Sequence, residues 1–166
     1  MPAGARDDHA ALGLAAPVTR ALDALEPCIA AMIADEAVSG EHAMHIVVMD
    51  PAAARDRVPF ESAILVERSV GNRGAWKADY ARYAHAKARL AWREGASTTD
   101  IVENAPARLR RGDLVVEGAV CRHGWIVAAS GAHPWYDTAF ATMAIELVNA
   151  TLRHRVADAR TKGGIL

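Results

Sequence analysis

A lysine interrupts the apolar face of an otherwise ordinary amphipathic helix, and that one charge limits how the chain can fold. Residues 74–92 read as a single helix. At about 100° per residue, Trp76, Tyr80, Tyr83, Lys87 and Leu90 fall within roughly 40° of one line. Asp79, Arg82, Arg89 and Arg93 gather on a separate charged stripe, so the helix already has a solvent side. Lys87 stands among the aromatics instead. A bare buried ammonium is costly, so it must snorkel along the tyrosine rings, pair with an acid, or face a hollow.

At 166 residues the chain is long enough for one domain with its own core. Residues 1–16 lack periodicity and read as a loose arm; residues 17–157 form the domain and 158–166 a tail. Apolar residues make up 52% of the chain but aromatics only 5%, so alanine should bring elements into close backbone contact. A net charge of -1 removes the electrostatic case for nucleic acid. The short run Arg108-Leu109-Arg110-Arg111 is followed at once by Asp113. Cys28 and Cys121 have no zinc- or redox-type spacing and read as packed, reduced thiols. With no signal-peptide pattern and no apolar run of membrane length, a soluble cytoplasmic protein away from membranes is expected.

The first helix is expected from Pro17 to Val38, kinked or broken at Pro27, with Leu22, Leu25, Ile29, Met32 and Ile33 inward. Met44–Met49 is apolar on both faces, as a covered central strand would be. A second strand is read over Ser62–Arg68, and a short capped helix from Ser97 to Asn104. Strands Leu114–Cys121 and Trp125–Ala129 flank the hairpin loop Arg122-His123-Gly124, with Gly124 left-handed. The last helix, from Pro134 to about Ala157, is apolar almost all round and should be buried in the domain or against a partner chain. Strands paired by short connections argue for an α+β fold, an antiparallel sheet flanked by helices. No glycine-rich dinucleotide turn follows the first strand.

Three segments, in this order, resemble the GlcG/HbpS-like haem-binding family, which has a profilin-like layout. They are the strand His45-Ile46-Val47-Val48-Met49-Asp50, the helical His85-Ala86-Lys87-Ala88-Arg89-Leu90-Ala91, and Trp125 to Ala132 followed by Asp137 and Ala139. The chain departs from the family at Glu117-Gly118-Ala119, at the Pro51–Phe60 connection and at Gly71-Asn72-Arg73-Gly74, and so looks like a divergent member. The resemblance implies homo-oligomers and a pocket for haem or another carboxylated tetrapyrrole. It places the family's lysine on Lys87, its Ser-Gly turn on Ser130 and Gly131, and its aspartate on Asp137.

The residues themselves leave alternatives open. Ser130-Gly131 before a helix start could seat a ligand carboxylate, with Lys87 as the balancing cation and Tyr83 beside it. Alternatively Gly131 only permits the turn, His133 caps the helix, and Asp137 pairs with Lys87. His133, next to Trp135 and Tyr136, is the best-placed haem ligand or proton carrier. His85 and Lys87 cannot face one cavity from a regular helix. No metal-ligand motif is present, so no metal site is expected, and Ala128-Ala129-Ser130-Gly131-Ala132 lacks the glycine of a nucleophile elbow. Three functions follow: a small-ligand, haem-type binding protein, a homo-oligomeric assembly module joined through the C-terminal helix, or an enzyme on a small carboxylated metabolite using Lys87.

Overall fold

The computed structural model describes residues 13–164, so the loose arm expected over 1–16 lies mostly outside the described residues. Its order is α1 (Ala15–Ile33), β1 (Met44–Met49), β2 (Ile64–Val70), α2 (Tyr80–Glu94), α3 (Thr98–Asn104), β3 (Ala119–Arg122), β4 (Trp125–Ser130) and α4 (Pro134–Thr161). The four strands make one antiparallel sheet in the order β2-β1-β4-β3. This is the expected α+β layout. No helix among the described residues is long and apolar enough to cross a membrane.

β1 and β4 are the inner strands, and every residue of both is buried. Side-chain alternation divides the core in two. Met44, Ile46, Val48 and Val127 face α1 and α4, where they meet Leu22, Ile29, Phe140, Ala144 and Ile145. Val47, Ile126 and Ala128 face α2, meeting Ala84, Ala88 and Ala91. That alanine stripe, rather than the aromatic line, is the face α2 lays on the sheet. Lacking bulk beyond Cβ, it lets the helix backbone come close, as the alanine-rich composition suggests.

Several boundaries differ from expectation for identifiable reasons. α1 runs unbroken through Pro27, whose ring is exposed, where water can replace the lost backbone bond. It ends at Ile33, and turns carry the chain to a buried Val38. Cys28, beside that proline, is exposed rather than packed, while Cys121 is partly buried against the Gly95 carbonyl. α2 starts at Tyr80, not Gly74, because the Asp79 carboxylate accepts from the Arg82 N–H at 3.0 Å and caps the helix. β2 lies two residues later than expected, since Phe60–Ala63 forms a 3-10 turn first.

The strand expected over Leu114–Cys121 shortens to Ala119–Arg122; Gly118, at φ +127°, still accepts the Ala129 N–H at 2.8 Å but lies outside the regular strand. The hairpin loop is two residues, not three. Arg122 pairs with Trp125, while His123 (φ 53°) and Gly124 (φ 80°) make the left-handed turn. Ser97 and Thr98, expected to cap α3, instead serve edge strand β3. Thr98 Oγ1 donates to the Ala119 carbonyl and accepts its N–H, and Ser97 Oγ accepts from Cys121 N–H. α4 buries one face only, and its exposed last turns extend to Thr161, past the domain end expected at 157.

The Ser-Gly turn is wedged against the loop before β1. Gly131 sits at φ +141°, and a Cβ there would lie 2.1 Å from the Ala43 carbonyl oxygen. Ser39 Oγ donates to the Gly131 carbonyl at 2.7 Å, and His133 N–H donates to Val38 O at 3.0 Å. Gly131→Ala is therefore expected to cost more than about 2 kcal/mol through backbone strain and clash. In a thermal melt that is a fall of about 4–8 °C or more for a domain of this size.

Candidate functional site

Lys87 occupies the flank of α2 that faces β4 and the start of α4. It is 2% exposed. Its Nζ donates to Asp137 Oδ2 at 2.7 Å and to the Ala129 carbonyl at 3.0 Å. The other Asp137 oxygen accepts the Ala132 N–H at 3.0 Å. Burial pushes the Asp137 carboxyl up to about 6, while the Lys87 charge and the N–H groups of Ala132 and Gly131 pull it down.

The seat read for an external carboxylate, between the Ser-Gly turn and a lysine, is thus filled by the chain's own Asp137. Gly118 makes room for the pair, since a Cβ there would come within 2.7 Å of Lys87 Nζ and 2.8 Å of Ala129 O. Of the alternatives open to Lys87, pairing is the one the fold takes.

The remaining expected site residues are spread around this pair. Ser130 is 4% exposed and stands opposite His45 in the β1–β4 register. His133 is exposed, stacks on Trp135 at 4.9 Å between ring centroids, and makes no side-chain cap to α4. Tyr83 is 42% exposed although Lys87, one turn on, is buried. Cavities open between α1 and α4 (about 860 Å³), along the last turns of α4 (about 740 Å³), beside His42 and Gly71 (about 330 Å³) and under Arg55 (about 20 Å³). Lys87, Ser130, Gly131, His133, Asp137 and Tyr83 line none of them.

On the opposite flank of α2, three groups from three elements meet. His45 of β1, Glu67 of β2 and His85 of α2 bring one ligand atom each to within 4.8 Å of one another. Glu67 Oε1 lies 3.1 Å from His45 Nε2 and in hydrogen-bond contact with His85 Nε2. The register explains the first pair: Val47 faces Glu67 and His45 faces Ser69, so all four side chains share the α2 face. Ser69 Oγ holds His45 Nδ1 at 2.8 Å.

The His45 side chain is 4% exposed, against 39% for Glu67 and 37% for His85. Burial holds the His45 pKa below its ordinary value, against the pull of Glu67. Burial would raise Glu67, but hydrogen bonds from His85 and His45 outweigh it and hold the carboxyl low. Trp76 packs edge-on to His45 at 6.3 Å and Phe60 to His85 at 6.3 Å. The Trp76 Nε1–H is the one buried side-chain polar atom among the described residues without a hydrogen-bond partner.

This cluster is a set of possible metal ligands that no motif in the sequence marks. Metal motifs legible in a sequence have short spacings, whereas these residues are 22 and 18 positions apart and meet only through strand register and helix placement. The one legible signal was a histidine in an otherwise apolar strand. No protein family, curated protein or solved structure matches the chain.

Lys87→Met should leave Asp137 buried and unpaired and cost about 3–5 kcal/mol in urea unfolding. Lys87→Met combined with Asp137→Asn should cost clearly less than the two single changes added together, because neither partner is then a stranded charge.

Proposed function

We propose that this is a small-ligand-binding protein, and that its ligand is an electron-pair acceptor held where His45, Glu67 and His85 meet. A haem iron and a hydrated metal ion both belong to that class. One observation carries the reading: a buried imidazole and a half-exposed one aim Nε2 at the same carboxylate oxygen. A core has no need of such an arrangement, since burying polar groups costs free energy that apolar side chains would not. The surroundings agree. Aromatic edges from Trp76 and Phe60 flank the two imidazoles.

The family resemblance implies a ligand at Lys87, Ser130, Gly131 and Asp137, to which the sequence adds His133 and Tyr83. With Asp137 in the carboxylate seat, the exposed His133–Trp135 stack is what that corner offers a tetrapyrrole. Hemin titration separates the two places. A saturable Soret shift near one equivalent, lost in His85→Ala and kept in His133→Ala, is the outcome expected if haem is the ligand. Loss in His133→Ala alone moves the site to the Ser-Gly turn and overturns the proposed location. If hemin gives no saturable shift and neither Zn²⁺ nor Co²⁺ raises the melting temperature, the binding reading itself is overturned.

A further inference from the structure

Within the proposed ligand class, and resting on that reading of the corner, we infer that the occupant is a divalent transition-metal ion held by His45 Nε2, Glu67 Oε1 and His85 Nε2. Metal bonds of about 2.0–2.2 Å from nitrogen and oxygen set neighbouring ligand atoms roughly 3.0–3.5 Å apart. The 3.1 Å between His45 Nε2 and Glu67 Oε1 is already such an edge. All three ligand atoms lie within 4.8 Å of one another, and the half-exposed His85 is the side chain free to adjust.

The set also has the outer support that metal-bound histidines need. A ligating imidazole is fixed by a hydrogen bond at its other nitrogen, which selects the tautomer and aims the lone pair. On metal uptake the Nε2–H that now faces Glu67 leaves, and Ser69 Oγ, 2.8 Å from His45 Nδ1, can then accept Nδ1–H and leave Nε2 bare toward the ion. Glu67 then contributes the anionic oxygen.

Ligand chemistry chooses the ion. Two imidazoles and one carboxylate suit zinc, iron(II), cobalt or nickel, whereas calcium and magnesium want an all-oxygen shell. Three protein ligands leave coordination positions open, and the exposure of Glu67 and His85 puts those positions toward solvent. Haem fits less well than a bare ion, because Glu67 Oε1 stands in contact with both imidazoles, where a macrocycle would have to pass. Arg73 works against an uncompensated cation here, and its charge favours an ion that carries an anionic co-ligand such as chloride.

The test is titration of chelator-treated protein with CoCl₂, read by visible d–d absorption and by calorimetry. Wild type should take up one equivalent with a saturating spectrum and a raised melting temperature. Ser69→Ala should weaken binding about 10- to 100-fold. His85→Ala and Glu67→Gln should weaken it further, while His123→Ala, at the exposed hairpin tip, should not change it. Circular dichroism melts without metal check that the variants fold; His85→Ala, at a half-exposed position, is the one least able to unfold the chain. Absence of one-equivalent uptake in wild type overturns the inference, as does unchanged affinity in His85→Ala and Glu67→Gln. Hemin uptake through His85 without cobalt uptake overturns the metal and leaves the ligand site standing. Cobalt uptake without hemin uptake supports the metal and removes only the haem version.

Discussion

The buried ion pair between Lys87 and Asp137 joins three elements of the fold at one point. It ties the middle of α2 to the first turn of α4, takes in the Ala129 carbonyl of β4, and through Ala132 holds the Ser-Gly turn. Two charges this deep repay their desolvation only when their remaining hydrogen-bonding capacity is met. Here a carbonyl and backbone N–H groups meet it. Gly118 has no side chain for the same reason, since any Cβ would intrude on the amine.

The pair also sets where α2 lies, and that decides what its other flank can do. With alanines 84, 88 and 91 on the sheet and Lys87 toward β4, His85 is carried to the β2 side. There it meets Glu67, which the β1–β2 register has already brought beside His45. A structural pair on one side of a helix and a ligand-competent cluster on the other follow from one helix rotation. The incompatibility of His85 and Lys87 in a single cavity was correct, and its result is two polar centres with different roles.

Much of the architecture was legible because it rests on local pattern. Met44–Met49, apolar but for His45, read as a covered strand, and His123-Gly124 as part of a tight turn. Errors gathered where side chains compete with helix periodicity: Asp79 capping α2, Thr98 bonding β3, and Gly118 lying outside a strand that hydrophobicity would have prolonged. The site was harder still. Lys87 and Asp137 pair with each other, and the N–H groups of Gly131 and Ala132 turn to the Asp137 carboxylate. His45, Glu67 and His85 carried no spacing motif that a scan could detect.

By itself the sequence determined the element types, the antiparallel α+β arrangement and the fact that Lys87 breaks an apolar helix face and must snorkel, pair or face a hollow. These depend on residue-by-residue burial preference, which is written in periodicity. Which acid answered it, and which histidines found a common carboxylate, only the tertiary structure decided. Such pairings depend on strand register and helix rotation across tens of residues. No local pattern encodes the distance between atoms that far apart along the chain.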